Sequence, residues 1–327
     1  MNKLTKIGVS ALCGSLASVA AANAGSLDVT GGATATYVSL DGEVTGNPLG
    51  MASAMTFTGN GELDNGTTFT LSIAHTNKAA YTGSSIAMTT PSLGTFTYDE
   101  GGGTGLDRID DMMPTAWEET DGAGLPVGLR TVAGAGGSSD IEWNVGLGLP
   151  DGMNVYASFA PQPDGSKNAN KGVSGANAVV DGNGWDIVLT HSGLYDGLNV
   201  FAGYSKIEQN ASIGDRTQEA YGATYAIGGA TVGYQYSKDD SPGATSEYYE
   251  NNAYGVSFSV NDNLAISYGV HESERNSTAK TLEATSLQVS YTVGGASVKI
   301  AENSADNVNY VSGSNKEGRT IALTLAF

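Results

Sequence analysis

One acidic segment stands out among the residues that could do chemistry. Between positions 99 and 121 the chain has eight acidic residues and one arginine, so the segment carries a formal charge of −7. Carboxylates crowded beside a narrow aqueous path create a negative potential that concentrates cations. The alternative is that these are ordinary solvated acids on a surface loop. The charged residues of the segment are Asp99, Glu100, Asp107, Arg108, Asp110, Asp111, Glu118, Glu119 and Asp121.

Metal binding and catalysis have weaker support. Asp107, Asp110 and Asp111 could hold a structural Ca²⁺ because carboxylate oxygens suit this ion, although the spacing is not that of an EF-hand. The tripeptide Thr190-His191-Ser192 would suit a hydrolase, but no orienting partner or second catalytic element accompanies it. We therefore expect no enzyme activity and no cofactor other than this possible Ca²⁺.

The composition favours a β-rich protein. The chain has 327 residues with 46 glycines, only 15% charged residues and a net charge of −19. Glycine is a poor helix former, which disfavours a helical bundle. The acidic charge balance disfavours nucleic acid as a partner because phosphate contacts require a basic surface. No apolar run after residue 24 is long enough for a membrane-spanning helix.

The first 24 residues have the features of an export signal. Lys3 and Lys6 precede an apolar stretch, and Ala22-Asn23-Ala24 forms a small-residue cleavage site, which predicts cleavage between Ala24 and Gly25. The only cysteine, Cys13, lies within this segment, so disulfides are not expected in the mature chain. We predict a signal peptide at 1–24 and one β-barrel domain at 25–327.

A period-two pattern repeats along the mature chain. Segments such as 286–293 (SLQVSYTV) alternate large apolar side chains with small or polar ones, as strands do. Short turns rich in Asn-Gly, Asp-Gly and Gly-Gly alternate with longer polar connections. Seven of these short turns each join two strands in a hairpin, and one further strand at each end of the chain gives sixteen strands. This count assigns Val127–Val132 to a returning arm of the connection ~99–138. Long connections are also expected at ~238–250, ~272–281 and ~303–318.

These strands could form a soluble sandwich or a membrane barrel. A soluble domain of this size needs a large core, whereas the bulky residues here form one narrow stripe per strand. The opposite face consists of Gly, Ala, Ser and Thr, which suits a water-filled lumen. An even strand number with short turns at one end is typical of a transmembrane antiparallel β-barrel. We therefore predict an all-β barrel of about sixteen strands.

The chain resembles Gram-negative outer-membrane general porins of the alphaproteobacterial type. The resemblance covers the mature chain and rests on the first hairpin (59–69, GNGELDNGTTF), the acidic segments 107–111 and 114–119, and the last strand (320–327, TIALTLAF). It implies a long third loop folded into the lumen and a homotrimer. The terminal Phe327 would be read by the barrel-assembly machinery. The enteric Pro-Glu-Phe-Gly loop motif is absent.

On this resemblance, the acidic segment lines the constriction of a channel. Porins commonly oppose such a loop with basic residues on the inner wall. Strand parity places Lys299 and Arg216 towards the lumen, and Arg130 follows the acidic loop, so these three are the candidate basic residues. Trp117 lies within the loop and is expected to anchor it against the wall.

We expect passive diffusion of ions and small hydrophilic solutes across the outer membrane, with a preference for cations. Outer-membrane lipid and lipopolysaccharide are the expected surroundings. A substrate-specific channel on the same fold remains an alternative, as does an outer-membrane enzyme or adhesin with a smaller barrel.

Overall fold

Sixteen antiparallel strands form a closed barrel in which β1 pairs with β16. The computed structural model describes residues 26–41, 46–77, 83–100, 102–120, 127–163, 180–242 and 247–326. The predicted signal peptide, its cleavage site and Phe327 lie outside these residues. The strands are β1 Leu27–Leu40, β2 Leu49–Glu62, β3 Thr68–Thr76, β4 Gly83–Thr90, β5 Gly94–Asp99, β6 Asp140–Val145, β7 Met153–Ala160, β8 Val180–His191, β9 Leu198–Gln209, β10 Arg216–Ile227, β11 Ala230–Ser241, β12 Glu247–Asn261, β13 Leu264–Arg275, β14 Thr281–Val293, β15 Ala296–Asp306 and β16 Lys316–Ala326.

Side chains alternate between the outside and the inside of the barrel, as the period-two pattern predicts. On β14, Leu287, Val289 and Tyr291 are exposed on the outer face. Ser286 and Gln288, which alternate with them in sequence, are buried on the inner face. Because successive strand residues point to opposite faces, the same rule gives the strands an apolar outside and a polar inside. The predicted fold class is confirmed.

The predicted tight turns are found at one end of the barrel. Tight turns such as Gly228–Gly229 and Gly294–Gly295 join the strands at one end, and both Gly228 and Gly294 have positive φ angles, of 58° and 57°. These angles are accessible to glycine without steric cost. Residues 127–132 form no strand, so the sixteen-strand count holds.

The strands extend further at the other end than the sequence predicted. Much of the expected connections ~238–250, ~272–281 and ~303–318 belongs to β11, β12, β13, β15 and β16. Their polar residues pair across strands instead of forming loops; Lys238 Nζ, for example, lies 3.5 Å from Glu250 Oε1. The barrel therefore has a polar rim beyond its apolar outer band.

Apolar packing inside the barrel occurs where connections fold against the wall. Leu106, Ile109 and Val132 pack with Val188 and Phe201 in one buried cluster. Short 3₁₀ turns at Gly105–Ile109 and Ala135–Gly137 bring the loop residues to this position. Among the residues described, no helix has the length and hydrophobicity needed to cross a bilayer.

Candidate functional site: the loop within the lumen

The described part of the connection between β5 and β6, residues 100, 102–120 and 127–139, folds into the barrel, and we call it the constriction loop. Asp186 on β8 holds both of its arms. One carboxylate oxygen accepts hydrogen bonds from the backbone N–H groups of Leu106 and Gly136, and the other accepts one from Ala135, all at 2.9 Å. Asp186 is only 1% exposed. A buried carboxylate that accepts several backbone bonds makes strong, charge-assisted contacts, which fix the loop to the wall.

Two acids of β6 secure the beginning of the loop. Glu142 Oε2 accepts a hydrogen bond from Gly105 N at 2.8 Å, and its Oε1 lies 2.5 Å from Arg108 Nη2. Asp140 Oδ1 accepts one from Thr104 Oγ1 at 2.8 Å. The guanidinium of Arg108 also lies over the Tyr156 ring at 4.1 Å. The one cation of the acidic segment is thus engaged by the wall.

Neutral polar side chains hold the middle of the loop. Gln235 on β11 accepts a hydrogen bond from Met112 N and donates two, to the carbonyl oxygens of Ile109 and Asp110. Gln288 on β14 both accepts from Glu118 N and donates to Glu118 O. These bonds satisfy backbone groups that would otherwise be desolvated without partners. The loop therefore follows the inner wall from β6 to β14.

Three glycines in neighbouring strands make room for the loop. Gly233, Gly255 and Gly269 are cross-strand partners on β11, β12 and β13. A Cβ at Gly255 would lie 2.9 Å from Pro114 Cδ, and one at Gly233 would lie 2.6 Å from the same atom. Thr120 packs against Gly269 in the same way, since a Cβ at Gly269 would overlap Thr120 Oγ1. The glycine row thus lets the loop backbone approach the wall closely, which sets how far it projects into the lumen.

Four of the predicted acids lie near one another on this loop. Asp110, Asp111 and Glu119 line a small cavity, of about 20 Å³, between the loop and the wall. Burial raises the pKa of Asp110 to about 7, and the neighbouring Asp107 and Glu119 contribute to this rise. Burial also raises the pKa of Asp107, although its carboxylate accepts a hydrogen bond from Gly103 N at 2.6 Å. Crowded acids of this kind resist simultaneous ionisation.

The other predicted acids are spread along the loop. Asp99 ends β5, and Glu100 accepts a hydrogen bond from Ser84 Oγ at 3.3 Å. Glu118 is fixed through its backbone by Gln288. Asp121 lies outside the described residues.

Two of the predicted basic residues converge on one buried acid. Arg216 donates to both oxygens of Asp239 at 2.8 Å, and Arg130 Nε lies 2.7 Å from Asp239 Oδ2. Asp239 on β11 is fully buried. The two arginines are therefore on the same side of the lumen as the constriction loop, and their charge is partly neutralised there.

The third basic candidate, Lys299, faces the lumen from β15. Its Nζ lies 5.9 Å from the centroid of the Trp117 ring, within range of a cation–π contact. Nearby, Ala116 N donates to Ser267 Oγ at 2.8 Å. The segment around Trp117 is thus docked against the wall, as expected from the sequence.

Sequence reasoning missed the wall carboxylates that hold the loop. Asp140, Glu142 and Asp186 have inward parity on their strands, and an acid facing inward on an otherwise small, neutral face is a signal that could have identified them. Asp239 was missed because the sequence placed 238–250 in a loop rather than on the wall.

The wall across the lumen is uncharged along much of its surface. Strands β1 to β4 contain no lysine or arginine. Their inward side chains are mostly Thr, Ser and Ala, and hydroxyl groups pair across strands, as between Thr34 and Thr324 at 3.0 Å. Within the described part of the chain, no three His, Cys, Asp or Glu residues group to hold a metal ion. The Ca²⁺ suggested for Asp107, Asp110 and Asp111 stays a prediction.

Comparison of the sequence with models of protein families agrees with this closed barrel and its long internal loop. The sequence model described as Gram-negative porin matches residues 8–325. This chain belongs to the Gram-negative porin family. Comparison with curated proteins found no significant match.

Solved structures show the same fold at low sequence identity. Salmonella typhi OmpF, in a complex with daunomycin, is 13% identical with a TM-score of 0.69, covering 93% of this chain and 98% of that one. OmpT of Vibrio cholerae in its trimer form is 14% identical with a TM-score of 0.65, covering 93% and 99%. A mutant of Rh. blastica porin is 15% identical with a TM-score of 0.62, covering 92% and 100%.

The family and the fold together settle the general function. The porin is an outer-membrane channel for passive diffusion of small hydrophilic solutes. Its apolar outer face suits lipid, and its polar inner face suits water. Family and fold point to a channel rather than to an enzyme.

Proposed function

We propose that this porin prefers cations, and that the acids of the constriction loop cause the preference. The supporting observation is that three arginines of the lumen are paired with carboxylates of the wall, while the loop carries a formal excess of acids. Arg108 is paired with Glu142, and Arg130 and Arg216 share Asp239. Strands β1 to β4 of the wall contain no basic residue. A channel with an excess of fixed negative charge concentrates cations and excludes anions.

The reversal potential across a planar bilayer with a KCl gradient tests this proposal. The wild-type porin should give the sign expected for K⁺ over Cl⁻. The triple variant Asp110→Asn, Asp111→Asn and Glu119→Gln should move the potential towards zero. A matched control is Asp151→Asn, which removes an exposed acid from the turn between β6 and β7. An anion preference in the wild type, or an equal shift in the control, contradicts the proposal.

We infer that the porin assembles as a homotrimer through the outer face around β1. This face has a cleft of about 330 Å³ where small side chains replace the bulky residues found on other strands, and it includes the polar side chains of Ser53 and His75. When a second copy packs into this lipid-facing cleft, van der Waals contact between the two copies increases. Such packing drives association in a bilayer. The cleft is lined by Gly32, Ala33, Ser53, Ala54, Met55, His75, Leu325 and Ala326.

Gel migration of unheated samples tests the trimer. Ala33→Leu would fill the cleft and should abolish the slow-migrating oligomer. Val256→Leu, on the exposed outer face of β12, adds bulk away from the cleft and should leave it intact. Persistence of the oligomer in Ala33→Leu, or a wild type that migrates as a monomer, contradicts this interface.

Lipid, lipopolysaccharide and the barrel-assembly machinery are the further partners that we propose. The apolar outer band supports contact with lipid, and the polar rim above it is suited to headgroups. The proposed recognition by the assembly machinery rests on the aromatic residue Phe327 that follows the alternating segment 320–326. Deletion of Phe327 should lower the yield of folded porin in outer-membrane fractions, whereas an unchanged yield would remove the support for this role.

We propose no catalytic role for the channel. His191, the residue that could suggest a hydrolase, accepts a hydrogen bond at Nδ1 from Gly193 N at 2.9 Å within its own hairpin turn. This bond gives the imidazole a local role in the turn. Hydrolysis of lipid or peptide by the purified porin, lost in His191→Ala, would contradict the proposal.

A further inference from the structure

The connection between β15 and β16, residues 307–315, folds inward onto the constriction loop. We call it the strap, and we call residues 127–139 of the constriction loop the returning arm. Asn309 N donates a hydrogen bond to Val127 O at 3.0 Å. Val127 of the arm and Val308 of the strap belong to the same buried cluster, with Tyr249, Leu282 and Tyr310. Two connections that are distant in sequence therefore share one small core.

Polar and aromatic contacts extend this junction to the barrel wall. The hydroxyl group of Tyr310 lies 2.7 Å from Ser273 Oγ on β13. Its ring is 5.7 Å from that of Tyr249, and Arg275 lies over it at 5.0 Å. Asn251 Nδ2 donates to Arg130 O at 2.9 Å, which holds the returning arm beside the same cluster.

The strap backbone is strained where it makes these contacts. Asn307, Asn309 and Tyr310 have φ angles of 53°, 56° and 60°. Asparagine tolerates this left-handed region, but a bulky aromatic residue adopts it only at a cost. Such a conformation persists when surrounding contacts impose it. The buried ring and hydroxyl of Tyr310 supply those contacts here.

We propose that the strap clamps the returning arm, and that Val308 and Tyr310 are positioning residues for the constriction. The acidic arm of the loop has its own carboxylate and glutamine anchors, whereas the beginning of the returning arm, at Val127 and Leu129, packs against the strap cluster. Releasing the strap would allow the beginning of the returning arm to move within the lumen, while Asp186 still holds its end and the barrel stays closed. The clamp fixes the position of the loop and does not change its charge. A reversal potential therefore tests the proposed selectivity, and current fluctuation tests the clamp.

Two valines of the strap provide a matched test. Val308 is 1% exposed, whereas Val311, three residues later, is 57% exposed. In single-channel recordings, Val308→Ala should raise the frequency of open-channel current fluctuations by roughly tenfold. The loss of buried methyl groups should shift the equilibrium between the docked and undocked returning arm by about that factor. Val311→Ala should behave as the wild type. Equal behaviour of the two variants would overturn the clamp.

An engineered disulfide between the strap and the returning arm provides an independent test that leaves the apolar cluster intact. The only cysteine of the chain is Cys13, in the predicted signal peptide, so Gly128→Cys with Asn309→Cys introduces a unique pair. A Cβ at Gly128 would lie 3.0 Å from Asn309 Cγ, which places the two positions within reach of a disulfide. Oxidised protein should form the disulfide while folded, as judged by heat-modifiable gel migration. It should conduct with fewer fluctuations, and reductant should restore them. If the disulfide forms and the fluctuations stay unchanged, the proposal is wrong.

Discussion

Asp186 accepts a hydrogen bond from the backbone N–H of Leu106 at 2.9 Å, which fixes the first turn of the constriction loop to β8. The same carboxylate holds Ala135 and Gly136 of the returning arm. One buried acid thus connects two loop segments about thirty residues apart to the wall. The position of the constriction therefore depends on contacts between residues that are distant in sequence.

Replacing Asp186 should loosen the constriction loop. Asp186→Asn puts an amide donor where backbone donors need an acceptor, and each unsatisfied buried group costs about 1–3 kcal/mol. We expect noisier single channels and a lower unfolding temperature in heat-modifiability gels. Asp151→Asn, on an exposed turn, serves as the control. A quiet Asp186→Asn channel of unchanged thermal stability would contradict this assignment.

The row of glycines should limit how close the loop lies to the wall. Gly255→Ala adds a methyl group 2.9 Å from Pro114 Cδ and 3.0 Å from Pro114 O, so the loop must move towards the pore axis. We expect a lower single-channel conductance. Gly59→Ala on β2 adds the same methyl group with no atom within 4 Å, and its conductance should not change. Equal conductance in both variants would show that the loop has space to spare.

Cation preference should increase with pH near neutrality. The raised pKa of Asp110, about 7, means that this carboxyl group is largely neutral at pH 5 and charged at pH 9. Reversal potentials measured at these two pH values should therefore show the stronger cation preference at pH 9. Asp110→Asn should reduce the difference between them. A pH response unchanged in this variant would assign the titration to another group.

The same raised pKa has a consequence for stability. Between the ordinary Asp pKa of 3.8 and about 7, folded Asp110 holds more protons than the unfolded chain does. Its contribution to the free energy of unfolding therefore falls as pH rises through this range. Asp110→Asn should be less sensitive to pH than the wild type in thermal unfolding. If the unfolding temperature of Asp110→Asn depended more steeply on pH than that of the wild type, the predicted direction of the Asp110 contribution would be wrong.

Asp239 should neutralise much of the positive potential that Arg130 and Arg216 add to the lumen. In Asp239→Asn the two guanidinium groups lose their shared carboxylate and add positive potential to the lumen. The reversal potential should shift towards anions relative to the wild type. Asp240→Asn, the next residue along β11 and of opposite parity, is the control. A similar shift in both variants would show that the contact of Asp239 with the two arginines does not affect ion selectivity.

The barrel was predictable because its signals are local. Alternation on segments such as β14, and turn residues such as Gly228 and Gly294, depend on backbone geometry that neighbouring residues determine. The strand ends were less predictable because polar residues such as Lys238 and Glu250 resemble loop residues, although they pair across strands at the rim. Composition alone does not distinguish a polar rim from a polar loop.

The path of the constriction loop was not predictable from local pattern. It depends on bonds between residues far apart in sequence, such as that between Gln288 and Glu118. Sequence reasoning identified the acids of the loop and the inward parity of Arg216. It could not show that Arg216 and Arg130 meet on Asp239, because that contact joins two strands and a loop.

Chemical modification of one loop position in an open channel tests most directly whether these acids line the conducting path. Asp111 is exposed on the loop. Porin with Asp111→Cys, expressed with its signal peptide removed, should show stepwise current reduction when a small cationic thiol reagent is added. An anionic reagent of the same size should react more slowly, and the cysteine-free protein should not respond. Unchanged current despite complete modification, or faster reaction with the anionic reagent, would contradict the account.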